Sequence, residues 1–114
     1  MKTLQEPSQE LAQRILSELE FKDRFQCHRI HRRAGFVPIT CYAFEEIVCY
    51  LVKGSLQINT GKLMTWIGEA LGDMELAERI GEIIQAGIRE SEKLRQINTL
   101  MITRLGQAKK VLLK

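Results

Sequence analysis

The stretch Thr60 to Ile84, TGKLMTWIGEALGDMELAERIGEII, constrains the fold more than any other. Leu63, Trp66, Ile67, Ala70 and Leu71 fall at i, i+3, i+4, i+7 and i+8, which is one apolar helical stripe. Leu76, Ala77, Ile80, Ile83 and Ile84 repeat the pattern. Between the stripes stand Gly72, suited to the left-handed turn that closes a helix, and Asp73, suited to accept the free N–H groups that open the next. Glu75 adds negative charge in the first turn, where the helix dipole favours it. Two stripes joined by one sharp corner must share a core.

The remaining chain extends this helical reading. Ser8, after Pro7, is a capping residue, and Leu11, Ala12, Ile15, Leu16 and Leu19 form a stripe that predicts a helix over 9–25. Residues 25–36 have poor periodicity and end at Ala34-Gly35. Phe36 to Ile39 is predicted to be extended, because Pro38 keeps Val37 out of the helical region. Thr40 is then the expected N-cap of a very apolar helix, 41–53, which Gly54 stops. Its inner face is Phe44, Ile47, Val48 and Leu51, widened by Ala43, Tyr50 and Val52, so it is expected to be central or to face a second chain. Ser55 to Asn59 alternates apolar and polar residues and has room for one short extended turn. The stripe returns at Leu94. A break near Gly87 to Ser91 is favoured over one helix running from Met74 to the end, which would be about 60 Å long. The expected fold is all-α: one domain, 1–114, with 1–7 a loose leader. It is a compact bundle of five helices at 9–25, 41–53, 61–71, 74–88 and 91–112, the last long and amphipathic.

A chain of 114 residues buries roughly two-thirds of its unfolded surface, enough for a core without metal or disulfides. Net charge is +3, unevenly placed. Residues 22–33 carry Lys22, Arg24, Arg29, Arg32 and Arg33 against Asp23. Residues 103–114 carry Arg104, Lys109, Lys110 and Lys114 with no acid. The body between is therefore acidic. Three cysteines, Cys27, Cys41 and Cys49, are an odd count, and MKTLQEPSQE has no signal-peptide core. The longest apolar run, Ile47 to Val52, is too short to span a bilayer. These features predict a cytoplasmic protein with reduced thiols and no membrane segment.

Few motifs carry chemistry. Cys27-His28-x-x-His31, with Cys41 beyond, is the one cluster of metal-ligand types, but it lacks the second pair that a four-ligand zinc site needs. Glu75 to Gly81 has the Ala-then-Gly spacing of a helix-turn-helix first helix, yet Glu82-Ile83-Ile84 simply continues the stripe. Gly61-Lys62 is not a phosphate loop, because Leu56 and Leu63 stand where that motif requires Gly and Ser or Thr. Neither histidine lies near a Ser-bearing elbow or a paired carboxylate. Cys49 has acidic neighbours that disfavour its thiolate. No catalytic residue, cofactor site or metal site is therefore expected.

Ser55-Leu56, Trp66, Leu71-Gly72-Asp73 and Glu75-Leu76-Ala77 together give residues 36–84 a resemblance to an uncharacterised prokaryotic helical domain family of unknown function. That family carries a His after the connector and an Asp-Phe pair before the Trp, where this chain has Asn59 and then Lys62-Leu63. The resemblance implies a compact helical domain and no activity.

The function expected from the sequence is a non-catalytic protein-interaction or regulatory module that self-associates as a homodimer. Its seam would be Leu94, Ile97, Met101, Leu105, Ala108 and Val111, with Arg104 at the edge pairing with Glu90 or Glu92 of an antiparallel partner. The alternative is a small nucleic-acid-associated protein using Lys22, Arg24, Arg29, Arg32, Arg33, Lys109 and Lys110.

Overall fold

The computed structural model describes residues 4–31, 33, 35–54 and 56–113, with the backbone alone at residues 29–31 and 56. Five α-helices dominate: α1 (Gln9–Leu16), α2 (Phe44–Lys53), α3 (Thr60–Glu69), α4 (Met74–Gln85) and α5 (Glu90–Leu112). Between α1 and α2 lies a hairpin of β1 (Phe25–His31) and β2 (Gly35–Cys41), and β3 (Leu56–Gln57) follows α2. The chain is mostly helical but not all-α: the strands form an antiparallel sheet in the order β2-β1-β3.

The corner between α3 and α4 forms as its residues require. Gly72 has φ +74°, and the Asp73 carboxylate accepts from the Leu76 N–H at 3.1 Å. The stripes of α3 and α4 then bury Leu63, Ile67, Leu71, Leu76 and Ile80. Ser8 caps α1 by accepting from the Leu11 N–H, and Asn59 caps α3 through the Lys62 N–H. α4 ends before Gly87 and α5 starts anew at Glu90, so the single long helix does not form.

Four expectations fail locally. The helix of 9–25 stops at Leu16, because the chain turns extended at Ser17 and the Leu19 N–H donates to the Tyr42 carbonyl at 2.8 Å. Leu19 is buried as expected, but by this crossing rather than by a helical face. Residues 25–31 are a strand: Phe25 and Cys27 are buried while Gln26 and His28 are exposed, a period of two. The hairpin runs from Phe25 opposite Cys41 to His31 opposite Gly35, where φ +75° suits a tight reversal. Thr40 is therefore a strand residue, and the N-cap of α2 is Ala43.

The fourth concerns the centre of the molecule. α1, α2 and α4 all pack on α5, so α5 rather than α2 is the central element. α5 buries Ile97, Met101, Ala108 and Val111 completely or nearly so. α2 buries Phe44, Ile47 and Val48 but leaves Val52 61% exposed. The leading segment is docked from Leu4 onward. The Gln107 side chain donates to the Leu4 carbonyl at 2.8 Å, and the Arg104 guanidinium donates to the Gln5 carbonyl at 2.6 Å. No helix among the described residues is long and apolar enough to cross a membrane.

Candidate binding surface

The hairpin departs from the helical body. Its strands pair with each other and with β3, and among the helices β2 touches α2 at its base. Phe25 anchors that base, with its ring centroid 5.4 Å from that of Trp66, whose indole N–H donates to the Asp23 carbonyl at 2.7 Å. Beyond the anchor the sheet has two unlike faces. One turns Phe25, Cys27 and Cys41 into the core. The other presents exposed Gln26, His28, Phe36, Pro38 and Gln57. In register, Gln26 faces Thr40, His28 faces Pro38 and Gln57, and Phe36 faces Ile30. Phe36 is 59% exposed, a large ring on a solvent-facing strand. Pro38 has no N–H to offer along the outer edge of β2, which blunts that edge against pairing with another strand.

The basic residues singled out from the sequence are distributed around this arm. Lys22 is exposed, 3.8 Å from Glu20. The Arg24 guanidinium lies 4.4 Å from the Tyr42 ring centroid, a cation–π contact, while its Nε donates to the Leu19 carbonyl at 3.0 Å. Arg33 is exposed in the turn of the hairpin. Arg29 lies on β1 opposite Val37, its side chain outside the described residues, as is Arg32 altogether. From the other end of the chain, Lys109 pairs with Glu45 at 3.0 Å, and Lys110 is exposed. Arg24 and Lys109 thus reach residues three apart, Tyr42 and Glu45, at the start of α2. The Glu45 and Glu46 carboxylates are interposed there, and Glu46 accepts from the Tyr42 N–H at 3.4 Å.

Arg104 belongs to none of this. It is 1% exposed, and its Nε is 2.8 Å from the Asp73 carboxylate and its NH2 2.7 Å from the Glu75 carboxylate. It is an internal ion cluster, not a seam residue reaching for Glu90 or Glu92 of a partner. The proposed dimer seam is likewise occupied from within. Ile97, Met101, Ala108 and Val111 are buried in the chain's own core, and Leu94 and Leu105 are half-buried.

Glu75 also accepts from the Gln5 N–H at 3.1 Å. Burial raises its carboxyl, but the Gln5 N–H and Arg104 outweigh it and hold the group below the usual range. Among the described residues, no three of His, Cys, Asp and Glu gather as metal ligands. A concavity of about 820 Å³ lies beside α1 and is lined by charges of both signs, including Arg14, Glu18, Lys22 and Asp23. Sequence reasoning missed Phe36 and Tyr42 as surface groups; the signal for Phe36 was the alternation hidden in 25–41, and nothing local marked Tyr42. No family model matches this chain, and no curated protein or solved structure matches it.

Proposed function

We propose that the protein is a non-catalytic binding module whose recognition surface is the hairpin, and that its ligand is single-stranded nucleic acid. The observation that carries this reading is Phe36, standing exposed beside His28 on a sheet face whose arm holds the basic stretch 22–33. A ring on an open sheet offers a stacking surface to any base, and Lys22, Arg24 and Arg33 supply attraction for the phosphates. Fluorescence anisotropy with labelled single-stranded RNA and DNA at low salt tests it. Affinity should fall steeply as salt rises, and Lys22→Ala with Arg33→Ala should flatten that slope and weaken all sequences alike. Absence of binding at low salt overturns the proposal.

Self-association is a second reading, favoured by Val52, which stands 61% exposed next to half-buried Leu51 and Tyr50 on α2. With the α5 stripe buried, a two-fold dimer would use this face of α2. Sedimentation equilibrium at high concentration tests it, and a single 13.1 kDa species overturns it.

A further inference from the structure

Cys27 and Cys41 face each other under the hairpin, their sulfur atoms 4.0 Å apart with one thiol donating to the other. Cys41 is fully buried. Cys27 is 8% exposed and borders a pocket of about 390 Å³ whose wall includes Asn59, Thr60 and Lys62 from the start of α3. Of the two residues, Cys27 is thus the one at the edge of a pocket, and Cys41 stands behind it. We propose that Cys27 and Cys41 are a reversible dithiol–disulfide switch, oxidised by hydrogen peroxide, that shifts the base of the hairpin against the helical body.

The roles of the two thiols are unequal. The hydrogen bond from Cys41 holds the Cys27 thiol below its ordinary range, against the opposing effects of burial and Glu46. The same bond, with burial, pushes the Cys41 thiol up. Cys27 is therefore the more readily ionised of the two thiols and, as its thiolate, the attacking sulfur. Its sulfur displaces hydroxide from peroxide: the S–O bond forms, the O–O bond breaks, and Cys27 becomes a sulfenic acid. The hydroxide takes up a proton to leave as water. Cys41 sulfur then attacks Cys27 sulfur: the S–S bond forms, the S–O bond breaks, and a second water leaves with the Cys41 proton. The two thiols lose two electrons and two protons, and one peroxide becomes two waters. A small-molecule dithiol restores the pair by exchange and is itself oxidised to a disulfide.

The register makes this a movement as well as a bond. Cys27 faces Ile39 and Cys41 faces Phe25, so the cysteines are diagonal neighbours. Diagonal Cα atoms in a regular ladder are roughly 7–8 Å apart, beyond the span of about 4.4–6.8 Å that a disulfide usually bridges. Closing the bond draws the two strands across one another next to Phe25, and Phe25 packs on Trp66, the single tryptophan of the chain.

The test uses the full chain with Cys49→Ser, which removes the exposed thiol. After treatment with hydrogen peroxide, the intact mass should fall by two hydrogens and peptide mapping should link Cys27 to Cys41. Tryptophan emission should shift, and dithiothreitol should reverse all three changes. In Cys41→Ser, dimedone should label Cys27. Two free thiols after peroxide, oxygen added to Cys27 without a cross-link, or a cross-link that leaves tryptophan emission unchanged would each overturn the proposal. The mass and mapping results stand without the Cys41→Ser variant if that protein does not fold.

Discussion

Arg104 and Arg24 show two uses of one residue type in basic stretches that look alike in sequence. Arg104 is sealed under the leading segment, where Asp73, Glu75, Gln107 and the Gln5 carbonyl take up its guanidinium. Arg24 lies at the foot of an arm, its guanidinium 4.4 Å from the centroid of the Tyr42 ring and 5.8 Å from that of Phe21, both exposed. Basic content alone therefore says little about partners. A guanidinium surrounded by carboxylates and carbonyls is cement for its own fold. One that lies among exposed rings ties down the surface of the fold rather than its interior.

The largest expected effect comes from breaking the cement. Arg104→Ala leaves Asp73 buried with no counter-charge and should cost about 3–5 kcal/mol in urea unfolding, because removing one partner of a buried pair is strongly destabilising. A loss below about 1 kcal/mol would mean that the cluster is already solvated. Next comes the corner beside it. Gly72→Val places a β-branched residue at φ +74°, where the space around the site is open, so the cost is backbone conformation alone. A drop of about 1–3 kcal/mol is expected in the same assay. An unchanged melting temperature would show that the corner relaxes.

On the arm the effects should fall on binding instead. Phe36→Ala should leave the melting temperature alone, since the ring is exposed, and weaken single-stranded RNA or DNA about tenfold, as one lost stack does. Equal affinity for Phe36→Ala and the parent would remove Phe36 from the surface proposed. The smallest effect is a dependence on pH. Glu75 is held below its ordinary value of 4.5, so its folded state favours the charged form. Its contribution is complete above pH 4.5 and is lost as pH falls through the lower folded value. Glu75→Gln should therefore flatten the acid side of the stability curve slightly, the effect being muted because the side chain is 36% exposed. Identical acid limbs would show that Gln5 and Arg104 do not favour the charged carboxyl.

The helical body was legible because its signals are local. Leu63 to Ile84, Asp73, Gly72 and Ser8 act within a few residues, and each does in the structure what its chemistry favours. The hairpin was obscured for two reasons. Leu19 happens to continue the α1 stripe at i+4 from Ile15, which lengthens the apparent helix. The alternation of Phe25 and Cys27 then runs into Arg29 and Ile30, whose polarity reverses its phase. Pro38 did mark the extended stretch, but nothing nearby marked the strand that pairs with it. Arg104 was read as a surface residue because arginine is seldom buried unless paired. Its partners lie 31 and 29 residues upstream, a coincidence of position that only the folded chain reveals.

The docking of the leading segment sets an order of events in the cell. Gln5 and Arg104 are 99 residues apart, and the leading segment is held by Glu75 of α4 and by Arg104 and Gln107 of α5. During synthesis the hairpin can pair as soon as Cys41 emerges, since each of its contacts closes a short loop. α1 has no such option. Ala12 and Ile15 pack on α5, which follows them in the chain by some 75 residues or more, so they face water or chaperones until α5 has been made. The helical body thus closes only once α5 has been made, while the β1–β2 pairing needs nothing beyond Cys41 to begin and gains its anchor when Trp66 and β3 follow.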